Sequence, residues 1–303
     1  MNKKEFNELY ETLKKSKFKQ QKFPGWRPLP TISCITIIFI SGGVFFIIVG
    51  ILILIFVGQL KEVKYRYDSE VQQPGNYIFN IPIPERMKKP IMIYYQINDF
   101  RQNHRFYMEN KSDKQLKGEE VSKEELEKSN TCENYLYNKD FGLTNPPEDD
   151  VAFPCGAIAR TFMFSDKLLN ISSSLKQINV TTEEIAYKSD RDTFSKIEKI
   201  DSHWLDVNDE NFMIWSRISP FENPRKLWGI IKEDDLEGGK SISVNLTIKH
   251  LNFEKYIIFS TRNVFGGKNT FLGICYIVFG SICLISAVIF INVFNYFHKK
   301  PKN

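Results

Sequence analysis

Residues 31–58 form a stretch of 28 residues that contains no Asp, Glu, Lys or Arg. A helix of roughly 20 apolar residues crosses a hydrocarbon core of about 30 Å. Because a backbone in lipid must satisfy its own hydrogen bonds, a lone span has to be a helix. A second stretch without charged residues covers residues 271–294, nine residues from the C-terminus. We therefore predict transmembrane helices at both stretches, with residues 59–270 together on one side of the membrane.

Charge indicates which side of the membrane each segment occupies. Residues 1–30 carry eight Lys or Arg and three acidic residues, and the last six residues carry three Lys. Residues 59–270 are nearly neutral, with 30 basic and 33 acidic side chains. Short basic flanks stay in the cytosol, whereas a long translocated domain has little influence. We therefore predict cytosolic tails at residues 1–30 and 295–303 and an extracytosolic domain at residues 59–270.

A cleaved signal peptide is the alternative to an uncleaved first span. It is disfavoured because the leader is 30 residues long and the apolar run is about twice the length of a signal h-region. The orientation bias itself is modest, since basic residues also flank the spans on the far side of the membrane. These are Lys61, Lys64, Arg66, Arg262 and Lys268.

The basic tails make anionic membrane phospholipid an expected partner, at about 1 kcal/mol per charge near the surface. Nucleic acid is not expected, because the middle domain has no basic stripe interleaved with aromatic residues. Residues 1–22 are predicted to be helical, since Phe6, Leu9 and Leu13 form one apolar stripe at helical spacing. That stripe could contact membrane or a partner, and a frayed tail is the alternative.

Cysteine usage indicates an oxidising environment for the middle domain. Of five cysteines, Cys34, Cys275 and Cys283 lie in the predicted spans. Cys132 and Cys155 remain, and a pair with none left over predicts one disulfide. Two unrelated buried thiols are the alternative.

Sequons for N-glycosylation occur four times, all between the predicted spans. This placement agrees with an extracytosolic middle domain. The predicted glycosylation sites are Asn110, Asn170, Asn179 and Asn245.

The middle domain is predicted to be rich in β-strands. Residues 241–250 alternate strictly between apolar and polar side chains, which is typical of a half-buried strand. Three further strands are predicted at residues 76–84, 90–98 and 255–263, with Pro82 and Pro84 keeping the first at a sheet edge. Residues 103–150 are polar and are predicted to form a helical or looping insert. The expected fold is therefore two transmembrane helices and a large β-rich, antiparallel, sandwich-like extracytosolic domain with this insert.

Small residues recur every seven positions in both predicted spans. Such spacing makes a narrow groove along one helix face, where another helix can approach closely. The alternative is that glycine is simply common in membrane helices. The residues are Gly43 and Gly50 in the first span and Gly273, Gly280 and Ala287 in the second.

Residues that could carry chemistry do not cluster in the sequence. His104, His203, His250 and His298 are scattered, without metal-ligand spacing. Asp190 and Asp192 could form the acidic pair of a metal-dependent sugar transferase, but a solvated loop is the preferred interpretation. No phosphate-binding loop or nucleophile elbow motif occurs. We therefore predict no catalytic residue, metal site or cofactor, and a protein that is not an enzyme.

Five sequence segments in fixed order resemble motifs of the cell division control protein 50 family, also called ligand effect modulator 3 or transmembrane protein 30. They cover the chain from about residue 18 to residue 294. The segments are FKQQKFPGWRP from Phe18, YYQINDFRQNHRFYMENKSDKQLKG from Tyr94, PCGAIARTFMF from Pro154, WSRISPFENPRKLWGII from Trp215 and GGKNTFLGICYIVFG from Gly266. Residues 59–98 depart from the family pattern because they lack the cysteines of a first ectodomain disulfide. The pair Cys132 and Cys155 matches the family's second disulfide.

The resemblance implies a non-catalytic β-subunit of a type IV P-type ATPase, a phospholipid flippase. Such a subunit would escort the ATPase out of the endoplasmic reticulum and stabilise it during lipid transport. It would reside in the endoplasmic reticulum, the Golgi and endosomal system or the plasma membrane. The motifs and the small-residue spacing together predict a set of partner-binding residues. These are Phe18, Gln20, Gln21, Pro24, Trp26, Gly43, Gly50, Asn103, His104, Arg105, Trp215, Arg217, Arg225, Gly267, Lys268, Asn269, Gly273 and Gly280.

Two other functions compete with this prediction. A subunit of a two-span ion channel would share the basic tails and the large outer domain, but the spans contain no polar stripe that could line a pore. A membrane-anchored ectoenzyme would need a catalytic or metal-binding cluster in the middle domain, which the motifs do not provide.

Overall fold

Two long apolar helices, near the two ends of the chain, flank a middle region of strands and short helices. The structure is a computed structural model and describes residues 3–21, 31–119, 121–129, 131–144, 147–163, 165–173, 176–194, 203–250, 252–263 and 266–299. The α-helices in these ranges are α1 Lys3–Lys15, α2 Ile32–Gly58, α3 Arg105–Glu109, α4 Asp113–Leu116, α5 Lys123–Ser129, α6 Ala157–Met163, α7 Lys188–Phe194, α8 Glu210–Ser216 and α9 Phe271–Lys299. The strands are β1 Glu62–Arg66, β2 Gly75–Ile83, β3 Ile91–Ile97, β4 Lys167–Ser173, β5 Lys176–Ile178, β6 Arg225–Ile231, β7 Lys240–Ile248 and β8 Lys255–Thr261.

The chain divides into two compact units, Met1–Leu52 with Phe271–Asn303 and Ile53–Thr270. The first unit contains most of α2 and all of α9. Among the described residues, Ile32–Gly58 and Phe271–Tyr296 are the two helices long and apolar enough to cross a membrane. The two predicted spans are therefore confirmed as helices, and α1 confirms the predicted N-terminal helix.

The second unit is built on two four-stranded antiparallel sheets. Sheet A has the strand order β1-β8-β3-β6, and sheet B has the order β2-β7-β4-β5. Apolar side chains from both sheets share one buried cluster, so the sheets face each other as a sandwich. The predicted sandwich-like domain is confirmed.

The alternation of apolar and polar residues correctly predicted β7, an inner strand of sheet B. The apolar side chains of β7, from Ile242 to Ile248, are buried, and the intervening polar side chains face outward. Strand β2 forms an edge of sheet B, where Pro82 cannot interrupt a ladder hydrogen bond. The polar insert contains α3, α4, α5 and a short 3-10 helix at Asn138–Phe141, as its composition predicted.

Four strands were not predicted from the sequence. β1, β4, β5 and β6 have sequences EVKYR, KLLNISS, KQI and RKLWGII, which alternate weakly or are short. Register shifts interrupt the pairing of β4 and of β6. Tertiary pairing with longer neighbours, rather than local pattern, makes these segments strands.

Candidate partner-binding surfaces

The glycines of the two spans contact each other. A methyl group added at Gly43 would lie 2.9 Å from the carbonyl oxygen of Gly280, and one added at Gly280 would lie 2.7 Å from the carbonyl oxygen of Gly43. A methyl group added at Gly50 would lie 2.9 Å from the carbonyl oxygen of Gly273. Only glycine permits such a close approach of two helix backbones. The predicted groove exists, but α2 and α9 of the same chain fill it, so the assignment of these four glycines to a partner protein is corrected.

Aromatic side chains add to this helix contact, both between the two glycine pairs and beyond Gly43 and Gly280. Phe46 stacks on Tyr276 at 5.6 Å between ring centroids and meets Phe279 edge-on at 5.1 Å. Phe39 and Phe290 form a similar edge contact at 5.6 Å. Van der Waals packing of this kind drives helix association in lipid, where no hydrophobic effect operates between helices. The two spans therefore pack as a pair.

The N-terminal motif lies partly in the described residues. Phe18 is exposed. The Gln20 side-chain amide donates to the carbonyl oxygen of Leu13 at 3.3 Å, and Gln21 adopts a left-handed backbone conformation with φ of 52°. Pro24 and Trp26 lie outside the described residues. Among the described residues of this motif, Phe18 presents apolar surface.

Asn103, His104 and Arg105 lie on the surface at the start of α3. The Asn103 side chain donates to the carbonyl oxygen of Pro220 at 2.9 Å. His104 occupies the N-cap position of α3 without a capping hydrogen bond from its side chain, and Arg105 pairs with Glu109 one turn later at 3.1 Å. The three residues are exposed, as contact with a partner requires.

The loop that Asn103 contacts carries an exposed aromatic ring. Phe221 is 75% exposed. It lines an open groove with Arg101, Asn103 and the flanking residues of its own loop. Sequence reasoning missed Phe221, because a lone aromatic residue in a loop carries no local signal of exposure.

Trp215 belongs to the core, so its predicted contact with a partner is wrong. Its ring stacks on Phe100 at 5.6 Å and lies parallel to Tyr95 at 6.2 Å. The indole nitrogen donates to the carbonyl oxygen of Ile158 and to the hydroxyl of Thr161, each at 3.2 Å. A buried indole with a satisfied N–H stabilises the fold, and it leaves no surface for another protein.

Arg217 lies on the surface against an exposed tyrosine. Its guanidinium is 4.0 Å from the ring centroid of Tyr187, and it pairs with Asp190, with 2.9 Å between Nη2 and Oδ1. Asp190 lies in α7 rather than in the solvated loop that its sequence indicated. Neither Tyr187 nor Asp190 was predicted as a site residue, because only the fold brings them to Arg217.

Arg225 repeats this arrangement on sheet A. Its guanidinium lies 4.4 Å from the ring centroid of Tyr94 and 3.0 Å from the carboxylate of Glu62. Stacking on an aromatic face and pairing with a carboxylate hold the guanidinium in one orientation. Both arginines are partly exposed, so their outer edges remain accessible.

Lys226, which follows Arg225 directly in β6, is buried. Its ammonium group donates to the carbonyl oxygen of Arg217. Burial, reinforced by the positive charge of Arg217, lowers the pKa of Lys226 to about 8. The lysine therefore holds the Arg217 backbone in place from inside the domain.

Cys132 and Cys155 form the predicted disulfide, with 5.8 Å between their Cα atoms. Gly156 follows with a left-handed φ of 102°, and a methyl group there would lie 2.9 Å from the Cα of Lys111. The Pro-Cys-Gly motif is thus explained by a crowded turn that only glycine can occupy.

Asn110 is buried beside this turn, so its prediction as a glycosylation site is wrong. Its side-chain oxygen accepts from the backbone of Ala157 and its nitrogen donates to the carbonyl oxygen of Glu133, both at 2.8 Å. Each partner is a near neighbour of one disulfide cysteine. The side chain links the two arms of the disulfide and has no room for a sugar.

The other three sequons lie on or beside sheet B. Asn170 and Asn179 are exposed, and Asn245 faces outward from β7. Asn170 and Asn245 are direct cross-strand neighbours. Their glycosylation remains a prediction.

Gly267, Lys268 and Asn269 precede the second span. Lys268 and Asn269 are exposed. Just before them, Asn263 and Gly266 exchange backbone hydrogen bonds at 3.0 Å, and the Asn263 side chain donates to the carbonyl oxygen of Phe56 at 3.0 Å. Within the part of the chain that the structure describes, no three His, Cys, Asp or Glu side chains converge as metal ligands would.

The fold and these surfaces define a class of protein: a two-span membrane protein with a disulfide-bonded double-sheet domain. The chain belongs to the LEM3 (ligand-effect modulator 3) family / CDC50 family, whose profile matches residues 58–301.

Relatives match along most of the chain. ALA-interacting subunit 3 of Arabidopsis thaliana is 32% identical over 315 residues, covering 91% of this chain and 84% of the relative. Cell cycle control protein 50A of Bos taurus is 28% identical, covering 94% of this chain and 90% of the relative. Phospholipid-transporting ATPase accessory subunit LEM3 of Saccharomyces cerevisiae is 27% identical, covering 76% of this chain and 61% of the relative.

Proposed function

We propose that this protein is the non-catalytic accessory subunit of a phospholipid-transporting P-type ATPase. It forms a heterodimer with the ATPase, supports its exit from the endoplasmic reticulum and stabilises it during lipid translocation. The observation that carries this proposal is membership of the LEM3/CDC50 family across residues 58–301. The yeast relative is named as an accessory subunit of a phospholipid-transporting ATPase.

The proposal includes an orientation. Both termini face the cytosol, and the double-sheet domain faces the lumen or the cell exterior. The disulfide between Cys132 and Cys155 supports this orientation, since such bonds persist in oxidising compartments. The basic tails support it independently.

The protein acts by binding the ATPase through its surface. The ATPase supplies nucleotide binding, phosphorylation and the lipid path, so the accessory subunit acts without a catalytic group. Its paired spans lie beside the ATPase helices, its extracytosolic domain covers ATPase loops, and Phe18 contributes to a cytosolic contact. Exposed residues at the start of α3, with Arg217, Arg225 and Lys268, are the proposed extracytosolic contacts.

Co-purification tests the proposal. The tagged full-length chain is expressed in eukaryotic cells, extracted in mild detergent and captured. We expect a P-type ATPase in a one-to-one ratio, identified by mass spectrometry, and loss of ATPase from post-endoplasmic membranes when the chain is depleted. Capture of a well-folded, disulfide-bonded chain without any ATPase would contradict the proposal.

A further inference from the structure

The first helix, α1, presents an apolar face that the rest of the described chain does not cover. The side chains of Phe6 and Tyr10 are 53% and 55% exposed, and Leu13 is partly exposed. At about 100° per residue, these three positions lie within one narrow arc of the helix. Asn7 and Glu11 lie outside this arc and are also exposed. The helix is therefore amphipathic, with aromatic side chains on its apolar face.

A dense group of lysines begins at the end of α1. We call it the lysine cluster: Lys14, Lys15, Lys17 and Lys19, all with exposed side chains. The ammonium of Lys14 lies 5.9 Å from the ring centroid of Tyr10, so the cluster starts at the edge of the apolar face. Residues 12–31 contain six basic residues and no acidic one. The chain from the cluster to the first span therefore adds no negative charge.

The first span holds α1 close to the bilayer. In the chain, 16 residues separate Lys15 from Ile32, the first residue of α2. Even when fully extended, a segment of this length reaches roughly 55 Å. The helix therefore meets the membrane surface as a tethered group, and a tethered group needs only a weak intrinsic affinity to stay bound.

Anionic lipid matches both parts of this segment. Aromatic side chains favour the headgroup region of a bilayer, and a basic cluster beside an amphipathic helix next to a span is typical of binding to anionic lipid. One such signal alone gives marginal membrane binding, whereas an apolar contact combined with a basic patch holds a segment at the surface. A protein groove would accept the apolar face but would also need a carboxylate for each lysine.

From the exposed aromatic face and the lysine cluster, we propose that α1 lies in the plane of the cytosolic membrane surface. Phe6, Tyr10 and Leu13 enter the headgroup region, and the lysine cluster binds anionic phospholipid. This inference rests on the orientation given under the proposed function, because the cytosolic leaflet is the one with the negative surface potential.

Spin-label accessibility tests the location of α1. A label is attached at Tyr10→Cys or, as a matched control on the adjacent polar position, at Glu11→Cys, in the full-length chain with its span cysteines replaced. The protein is reconstituted into nanodiscs that contain about 30% phosphatidylserine. Oxygen concentrates in lipid, whereas a water-soluble nickel chelate is excluded from it. We expect the ratio of oxygen to nickel collisions to be roughly threefold higher at position 10 than at position 11.

Two results at these positions overturn the proposal. Equal, water-like ratios at positions 10 and 11 show that α1 is solvated on all sides. Few collisions with either reagent at position 10 show that protein, rather than lipid, covers the apolar face.

Charge substitution tests the lipid chemistry. Changing all four residues of the lysine cluster to Gln should abolish the difference between positions 10 and 11, because four favourable charges are lost together. Changing the same four residues to Arg keeps the charge and should preserve the difference. The wild-type chain in nanodiscs of phosphatidylcholine alone should behave like the Gln variant. If the Gln variant stays in the lipid, the proposed binding of anionic phospholipid is overturned.

The apolar face is tested by a single substitution. Phe6→Ser removes an aromatic ring from this face and should lower the collision ratio at position 10 by about half. Asn7→Ser, on the neighbouring exposed position, should leave the ratio unchanged. Equal ratios in the two variants show that the aromatic ring is not in lipid and overturn the proposed placement of the face.

The orientation is measured separately. Both surfaces of a nanodisc are accessible, so the collision ratios report lipid binding by α1 whichever way the chain is inserted. In sealed microsomes, whose cytosolic surface faces outward, an impermeant thiol reagent should label Glu11→Cys without detergent. Labelling only after detergent is added overturns the proposed orientation and the assignment of α1 to the cytosolic leaflet. Water-like ratios in nanodiscs, with labelling in sealed microsomes, overturn the inference alone. Native formation of the disulfide between Cys132 and Cys155 shows that each variant has folded.

Discussion

Asp166 and Lys255 form an ion pair with 2.8 Å between carboxylate and ammonium, and each side chain is only 3% exposed. Asp166 precedes β4 in sheet B, whereas Lys255 begins β8 in sheet A. The same carboxylate accepts a hydrogen bond from the hydroxyl of Tyr67 at 2.8 Å and one from the backbone of Lys249 at 2.9 Å. This network therefore connects the two sheets at one end of the sandwich.

Replacing Asp166 should destabilise the double-sheet domain strongly. In Asp166→Ala the ammonium of Lys255 loses its partner while it stays buried, which typically costs about 3–5 kcal/mol. Tyr67→Phe removes one hydrogen bond and should cost about 1 kcal/mol. Urea unfolding of the full-length chain in detergent, followed by tryptophan fluorescence, measures both. The exposed pair of Lys61 and Glu85 is the control, and Lys61→Met should leave the stability nearly unchanged, because solvent screens a surface ion pair. If Asp166→Ala and Lys61→Met lowered the free energy of unfolding equally, the buried ion pair would not have the stabilising role assigned to it.

A larger side chain at Gly43 should separate the two spans. Gly43→Leu places atoms against the Gly280 backbone, whereas the neighbouring Gly42 has no atom within 4 Å of an added methyl group. We expect the helix separation to move toward the upper end of the ~8–10 Å range for packed helices, and Gly42→Leu to leave it unchanged. Spin labels at Ile51 and Ile274, in a chain whose span cysteines are replaced, report the distance. A comparable shift in both variants would show that the glycine contact does not set the spacing.

The stability of the domain should rise with pH where Lys226 titrates. Its pKa is lowered by burial from 10.5 to about 8. Between these two values the unfolded chain binds a proton that the native chain does not, so the native state gains stability as the pH rises. Below pH 8 the buried charge costs roughly 3 kcal/mol.

Lys226→Met should flatten this pH dependence. At neutral pH, Lys226→Met should also raise the free energy of unfolding by about 2 kcal/mol. Removing the buried charge contributes roughly 3 kcal/mol, and loss of the hydrogen bond to Arg217 offsets about 1 kcal/mol of that gain. Urea unfolding at pH 7, 8 and 9.5 provides the measurement. Lys232→Met, at an exposed position after the same strand, should follow the wild-type profile. An unchanged slope in Lys226→Met would assign the pH dependence to another group.

Glycosylation should distinguish exposed sequons from the buried one. Asn170→Gln and Asn179→Gln should each remove one glycan, seen as a gel shift that disappears after treatment with a peptide N-glycosidase. Asn110→Gln should leave the glycan pattern unchanged. It should instead lower stability by about 1–3 kcal/mol, because the backbone N–H of Ala157 and the carbonyl oxygen of Glu133 each lose the Asn110 side chain as a hydrogen-bond partner. A glycan attached to Asn110 in the folded protein would show that this segment opens.

How far the sequence predicts the fold depends on whether the signal is local. The four strands with long apolar runs or strict alternation, β2, β3, β7 and β8, were predicted close to their observed bounds. β1 and β6 were missed, although they complete sheet A, because five to seven residues with mixed patterning are compatible with a strand or a loop. β1 becomes a strand because it pairs with β8, and β6 becomes a strand because it pairs with β3.

The candidate site divides in the same way. The motif that contains Trp215, Arg217 and Arg225 is visible in the sequence. The sequence does not show that Trp215 lies in the core and that the two arginines lie at the surface. Tyr187 was missed because it lies 30 residues from Arg217 in the chain. Contacts between side chains that are distant in sequence have no local signature.

By itself, the sequence determined two membrane helices, an intervening domain rich in strands, a cysteine pair and membership of a family, since hydrophobic length, alternation and composition are properties of neighbouring residues. Only the tertiary structure decided that the span glycines join α2 to α9, that Asn110 is buried beside the disulfide and that two arginines lie on tyrosine rings at the surface. Burial and pairing are set by which segments meet in space. For Tyr94 and Arg225, which lie on strands β3 and β6, a change of one residue in strand register would have turned the side chain to the other face.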